Sequence, residues 1–378
     1  MKIFKKAILP KGFKANGLAC GIKRSGKLDL ALFCSQVNAK ASCLFTTNSM
    51  LAAPLKLAKA YLKKNKDFGA IIVNSGNANC FTGNAGLKDA EVTAEALAKE
   101  LGIKKESVLV SSTGIIARRL PVEKIKKAIP GLVSDLSEKG IDKAKLAILT
   151  TDLFVKEITV KFSVGNRLIT ICGVAKGAGM IAPNMATMLA YIFTDADIAQ
   201  NALDKALSLC VKDSFNCITV DGCMSTNDTV AMLANGCAGN SRIELNNNFN
   251  LFVKALNIVC LELAKSIVKD AEGKTKFIEI SVSGAKSSNE AKTAALSVAN
   301  SNLFKTAVFG ENRNFGRIIA AVGSCGLGIK EEEIKVKVSS LKKKEVKVDI
   351  LLMRGKANAT VYTADLTLEY IKINAEYN

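Results

Sequence analysis

Lys176 to Asp195 reads KGAGMIAPNMATMLAYIFTD and concentrates the residue types that could do chemistry. A Gly-rich turn (Gly177, Gly179) and the pair Pro183-Asn184 lead into Ala186-Thr187, after which Met188 to Thr194 is mostly apolar. That run predicts a buried strand. A threonine hydroxyl at its start suits a nucleophile, which needs an adjacent base and a fixed position. The same pattern also describes an ordinary loop entering a core strand, so the surrounding segments must decide.

The sequence contains no histidine. Triads that rely on imidazole and zinc sites with histidine ligands are therefore excluded, and proton transfer falls to a carboxylate, Lys, Tyr, Cys or an α-amino group. Ser111-Ser112-Thr113-Gly114 follows a short apolar run, Val108 to Val110. Small residues directly after a strand leave backbone N–H groups accessible, the arrangement an oxyanion hole needs. Asn74 to Gly83 (NSGNANCFTG) has three asparagines and two glycines, which suit a polar pocket or an elaborate turn equally. Lys176 and Glu272, taken alone, read as surface charges.

The elements that must position these residues alternate between α and β. Gly17 to Lys23 and Leu28 to Cys34 predict a first hairpin, followed by strands at Cys43 to Thr47 and Ala70 to Val73. Ala90 to Leu101 predicts an amphipathic helix stopped by Gly102, and Val122 to Ala128 a short helix with a basic face. Glu157 to Val164 and Arg167 to Val174 predict a hairpin through Gly165-Asn166 that delivers the chain to Lys176. Ala202 to Lys212 and Leu251 to Val268 predict helices. In the second, Phe252, Leu256, Val259, Leu263 and Ile267 recur at helical spacing. A strand at Phe277 to Val282, a helix at Ala291 to Ala299, a loop at Gly310 to Arg317 and further strands near the C-terminus complete the pattern, with no internal repeat and no Pro/Gly/Ser-rich linker.

Composition bounds the function classes. The chain has 378 residues, 49% hydrophobic and 23% charged, enough for one large or two medium domains. Its net charge of +19 comes from scattered lysines with little aromatic interleaving, which reads as a solvated surface and not a nucleic-acid interface. Eleven cysteines include no CxxC pair, and most sit in apolar surroundings, as expected in a reducing, cytoplasmic compartment. The basic N-terminus has only Ala7 to Leu9 as an apolar run, too short for a signal peptide, and no later stretch is long enough to span a membrane.

Taken together, the motifs resemble the ornithine acetyltransferases, or glutamate N-acetyltransferases, of cyclic arginine biosynthesis. The resemblance rests on KGAGMIAPNMATMLAYIFTDA, GFKANGLACGIK, FTTN, VNSGNAN, SSTG, LTTD, SFNCITVDG, STNDT, IVKDAEGKTK, GENRNFGRI and DLTLEYIKINAEY, in order along nearly the whole chain. Departures are Cys223-Met224 where a small polar pair is common, Phe315 where tryptophan is common, and Asn378 where the pattern usually runs on to a terminal Ser or Thr.

The resemblance implies an α/β fold of mixed sheets flanked by helices. It implies self-cleavage between Ala186 and Thr187, giving an α chain of residues 1–186 and a β chain of 187–378 that begins with the nucleophile. The α-amine of Thr187 would then serve as general base, so that no histidine is required. Thr113 and Gly114 are implied as the oxyanion hole. Lys176, Glu272, Asn374, Thr150 or Thr151, and Thr187 itself are implied as substrate contacts. The implied reaction moves acetyl from N-acetylornithine to glutamate, without metal or cofactor, with acetyl-CoA a possible further donor and a dimer of cleaved protomers the expected assembly. Asn216, Asp221, Asn227 and Arg317 read as supporting or structural loop residues. A self-cleaving aminopeptidase of the related superfamily and a non-catalytic binding protein are the alternatives.

Overall fold

The computed structural model describes residues 1–65, 67–182 and 188–376. Mixed sheets with flanking helices make it an α/β protein, in agreement with the sequence. The described residues form two compact units, one from 1–177, 188–213 and 225–263 and the other from 178–182, 214–224 and 264–376. Each unit draws on both sides of position 186.

In chain order the first unit contains β1 (Lys2–Phe4), β2 (Phe13–Leu18), β3 (Leu30–Phe45), α1 (Ala53–Lys64), β4 (Asp67–Asn77), α2 (Gly83–Leu101), β5 (Val108–Ile115), α3 (Val122–Ser134) and α4 (Ile141–Ala147). It continues with β6 (Lys156–Val164), β7 (Arg167–Lys176), β8 (Leu189–Thr194), α5 (Gln200–Lys212), β9 (Thr229–Ala234) and the first part of α6 (Asn247–Lys269). Its nine-stranded sheet runs β1-β6-β7-β8-β9-β3-β4-β5, with β2 also paired to β3. β8 is antiparallel to β7 and parallel to β9, and β4 is parallel to β5.

Both faces of the sheet are covered, which is why β8 (LAYIFT) is buried at every position instead of alternating. Leu189, Tyr191 and Phe193 enter a core shared with Leu57 of α1, Leu97 of α2, Ile129 of α3 and Ala144 of α4. On the opposite face Gly173 of β7 lies under α6, where an added Cβ would stand 2.6 Å from Val259 Cγ1. An aromatic cluster of Phe33, Tyr191 and Phe193, with centroids 5.0 and 5.4 Å from Phe33, anchors the middle of the sheet.

The second unit holds the end of α6, then β10 (Phe277–Ala285), α7 (Ser288–Ala299), α8 (Asn302–Phe309), α9 (Gly316–Gly323), β11 (Ile334–Val338), β12 (Glu345–Leu352), β13 (Ala357–Ala364) and α10 (Leu368–Ala375). Its sheet order is β11-β12-β10-β13. β12 (EVKVDILL) alternates exposed and buried, and the inward Val346, Val348 and Ile350 pack with Ala294, Val298, Phe304 and Ile318 of the helices. One covered face and one solvated face give the period of two.

The structure moves several expected boundaries. The first hairpin pairs Phe13–Leu18, not Gly17 to Lys23, with β3. Residues 20–23 instead curl around Asp29, whose carboxylate accepts the N–H groups of Cys20, Ile22 and Lys23 at 2.7, 2.6 and 2.9 Å. Cys43 belongs to the same long strand as Leu30, with a register shift between Cys34 and Ala39. The helix expected from Ala90 begins at Gly83, and Val122 to Ala128 extends to Ser134 with Pro130 inside it.

Candidate active site

In the first unit, parallel β4 and β5 end side by side, and their carboxyl ends carry the SSTG and NSGNAN motifs. Gly114 has φ +133°, and a Cβ there would lie 2.4 Å from the Gly76 carbonyl carbon and 2.5 Å from the Asn77 nitrogen. Only glycine permits this approach. Thr113 beside it is buried, and its hydroxyl accepts a bond from Lys176 Nζ at 3.4 Å. Lys176 ends β7 opposite Leu189 of β8, two residues beyond Thr187 in sequence.

A buried ion pair backs this lysine. Asp152 Oδ1 lies 2.5 Å from Lys156 Nζ, both side chains wholly inaccessible, and also accepts the Gly177 N–H at 2.7 Å. Its Oδ2 accepts the Thr150 N–H at 2.9 Å. Burial pushes the Asp152 carboxyl upward, but the charges of Lys176 and Lys156 outweigh it and hold the group at about 2. Nearby Lys23 donates to the Leu28 and Leu149 carbonyls at 2.8 and 2.7 Å, and burial brings its ammonium down to about 8. Thr150 and Thr151 lie half-buried on the same turn. Lys176 thus places a buried ammonium beside a threonine hydroxyl, groups of the kind that bind a carboxylate.

The loop before β9, Ser225 to Asp228, borders the same strands. Asn227 Nδ2 donates to the Ala78 carbonyl at 2.7 Å and to the Ser112 carbonyl at 2.8 Å. Asp228 Oδ1 accepts the Met188 N–H at 3.0 Å, and burial pushes its carboxyl well above the ordinary carboxylate range. Ala186 and Thr187, the expected cleavage site and nucleophile, lie outside the described residues.

In the second unit, Glu272 accepts a bond from Asn374 Nδ2 at 3.0 Å, and its N–H donates to the Ala178 carbonyl at 3.0 Å. A Cβ on Gly179 would stand 2.2 Å from Glu272 Oε2, so a larger residue there would displace the carboxylate. Asp221 gathers the Met180, Ile181 and Cys223 N–H groups at 2.7, 2.9 and 3.1 Å, and the Tyr370 hydroxyl at 3.1 Å. Burial, with the charge of Asp221, pushes the Tyr370 phenol upward. Among the described residues no cluster of His, Cys, Asp or Glu could hold a metal ion. Nor is any helix among them long and apolar enough to cross a membrane.

The ArgJ family model matches residues 14–378. The arginine biosynthesis bifunctional protein ArgJ of Caldanaerobacter subterraneus subsp. tengcongensis is 45% identical, over 98% of this chain and 98% of that protein. The protein of the same name from Bacillus subtilis is 42% identical over 97% and 95% of the two chains. The chain belongs to the ArgJ family. It is thus an acetyltransferase of arginine biosynthesis. Among solved structures, the ornithine acetyltransferase of Mycobacterium tuberculosis complexed with ornithine is 37% identical, covering 48% of this chain and 97% of that one, with a TM-score of 0.44.

Within this ArgJ-family chain, the first unit brings Thr113, Gly114 and Lys176 together, and the second joins Glu272 to Asn374. Asp152, Lys156, Asp228 and Tyr370 were not singled out from the sequence. Asp152 and Lys156 are four apart in LTTDLFVK and Asp228 sits in STNDT, so position within a motif was the available signal. Of the loop residues read as supporting, Asp221 and Asn227 each bind several partners, whereas Arg317 is half-buried on α9 and bonds the Leu303 carbonyl and Thr306.

Proposed function

We propose that the chain cuts itself between Ala186 and Thr187 and then moves acetyl from N2-acetyl-L-ornithine to L-glutamate through an acetyl-Thr187 ester. In the first step the Thr187 hydroxyl attacks the Ala186 carbonyl, the acyl group shifts from nitrogen to oxygen, and water hydrolyses the ester. The liberated α-amine, with an ordinary pKa of roughly 8, becomes the base. In the second step the hydroxyl attacks the acetyl carbonyl of N-acetylornithine, the amine takes the hydroxyl proton and returns one to the departing ornithine nitrogen. Glutamate's neutral amine then attacks the ester carbonyl, the bond from that carbon to the Thr187 oxygen breaks, the α-amine relays the proton from the glutamate nitrogen to that oxygen, and N-acetylglutamate leaves.

Each tetrahedral intermediate carries an oxyanion, for which Thr113 and Gly114 are the proposed donors. Loss of one such donor costs ~3 kcal/mol of barrier. Lys176 takes the α-carboxylate common to both substrates, Glu272 the ornithine ammonium, and Thr150 or Thr151 and Asn374 further polar contacts. The observation that carries this reading is the buried Lys176 ammonium bonded to the Thr113 hydroxyl beside glycine-only Gly114. It supplies an anion partner and a close approach of two strand backbones without any imidazole.

The test is intact mass followed by turnover. Purified chain is expected as two polypeptides meeting at 186/187, with Thr187→Ala uncut. N-acetylornithine with labelled glutamate is expected to yield labelled N-acetylglutamate. Acetate release without N-acetylglutamate would instead identify a hydrolase, and an uncut, inactive wild type would overturn the proposal. Relatives are named bifunctional, which supports a second activity; transfer of labelled acetyl from acetyl-CoA to glutamate tests whether acetyl-CoA is its donor.

A further inference from the structure

Two adjacent residues of one loop hold the two chain positions that flank the chemistry in sequence. Asn227 is 5% exposed and commits its side-chain amide to the Ser112 and Ala78 carbonyls. Ser112 immediately precedes Thr113. Asp228 is wholly buried and accepts the N–H of Met188, the residue immediately after Thr187, while the Thr229 N–H donates to the Met188 carbonyl at 3.1 Å.

The loop itself is fixed from behind. Thr46 N–H donates to the Asp228 carbonyl at 3.1 Å and Thr46 Oγ1 to the Ser225 carbonyl at 2.9 Å. Ala52 N–H donates to the Thr226 carbonyl at 3.0 Å, and Thr226 Oγ1 to Asn227 Oδ1 at 2.7 Å. This last bond turns the Asn227 amide so that its NH2 faces the two carbonyls.

We propose that Asn227 and Asp228 are positioning residues of the acetyl transfer and of the self-cleavage. They form a bracket that sets β5 at Ser112, beside the proposed oxyanion hole, against Met188, the residue that enters β8. The inference rests on the roles given above to Thr187, Thr113 and Gly114. Attack on a carbonyl requires nucleophile and oxyanion donors to meet the same group within a few tenths of an ångström, and a displacement of about 1 Å costs on the order of 100-fold in rate. The two strand ends belong to β5 and β8, which are not neighbours in the sheet, so ladder pairing does not set their spacing directly.

The substitutions that test this are Asn227→Asp, Asp228→Ala and Asp228→Asn. Asn227→Asp keeps the shape and removes the donors to Ser112 and Ala78. Asp228→Ala removes the Met188 acceptor, and Asp228→Asn keeps an Oδ1 acceptor in a neutral group. Turnover is measured per acetylatable chain, counted by mass after N-acetylornithine is added without glutamate, so that misfolded protein drops out.

N227D and D228A are expected to lower kcat about 30-fold or more and slow self-cleavage, with KM for both substrates within about twofold. D228N is expected to recover kcat to within about threefold of wild type. Changes confined to KM, or kcat values for N227D and D228A within twofold of an active wild type, would overturn the inference and leave the functional reading intact. An inactive wild type would overturn that reading instead. Should D228A not fold, the comparison of N227D with D228N decides, equal kcat values in the two speaking against the bracket.

Discussion

At the scale of single residues, Asp152 links stability to pH, and the proposed oxyanion-hole role of Gly114 ties rate to backbone geometry. The folded Asp152 carboxyl titrates at about 2 against an ordinary value of 3.8. As pH falls the unfolded chain therefore takes up this proton first. The stability contributed by Asp152 is complete above about pH 4 and fades as pH falls through about 2. Asp152→Asn removes that part of the acid limb and leaves the buried Lys156 ammonium without its carboxylate, at a cost of about 3–5 kcal/mol at neutral pH. Urea unfolding of wild type and D152N at about pH 6 and about pH 3 checks both, the gap between the two narrowing at the lower pH. Equal gaps at the two pH values would contradict the assignment. Gly114→Ala forces a Cβ to within 2.4 Å of the Gly76 carbonyl carbon at a φ of +133°. The strand end must shift, and kcat is expected to fall at least about 100-fold with a smaller change in KM, as steady-state kinetics will show. Unchanged kcat would remove Gly114 from the oxyanion hole.

Among the elements, α10 has no buried residue and is held by polar ties instead. Thr367 caps it by accepting the Tyr370 N–H at 3.1 Å while donating to the Gly273 carbonyl at 2.6 Å. Tyr370 reaches Asp221 and Asn374 reaches Glu272. A helix held this way opens locally at low free energy. Thr367→Ala removes the cap and is expected to cost about 1 kcal/mol locally. Hydrogen exchange should speed up about fivefold in residues 368–375, with the melting temperature nearly unchanged. Uniform acceleration across the protein would refute a local effect. The same contrast explains what the sequence made legible. β6, β7 and α6 from Leu251 onward are readable because their periodicity is local and the hairpin turns through Gly165-Asn166. The first hairpin was misplaced because Asp29, six to nine residues downstream of the N–H groups it binds, folds 20–23 into a loop. Thr113, Gly114, Lys176, Glu272 and Asn374 stand out in the sequence only through motifs that resemble the family's. The bonds that order them, such as Asn227 to Ser112, 115 positions apart, leave no local pattern to read.

For the whole molecule, the proposed cut has a consequence fixed by sheet topology. Cleavage between 186 and 187 would place β1 to β7 in one polypeptide and β8 to β13 in the other. In the larger sheet, however, β8 and β9 are inserted between β7 and β3, so strands of the second polypeptide are hydrogen-bonded on both sides to strands of the first. Lys176 to Ile171 pairs with Leu189 to Thr194 on one side, and Lys40 to Phe45 with Ala234 to Thr229 on the other. The core adds to this, since the Phe13 and Phe33 rings of one polypeptide pack tilted against Phe193 of the other, with centroids 5.3 and 5.0 Å apart. Separating the two would expose two strand edges and an apolar core at once, which is unfavourable in water. The cleaved enzyme is therefore expected to elute from size exclusion as one species containing both polypeptides. They should part only in about 6 M guanidinium, in the transition that unfolds the first unit. Two polypeptides that separate in native buffer while activity persists would show that the inserted strands β8 and β9 do not hold the cleaved chain together.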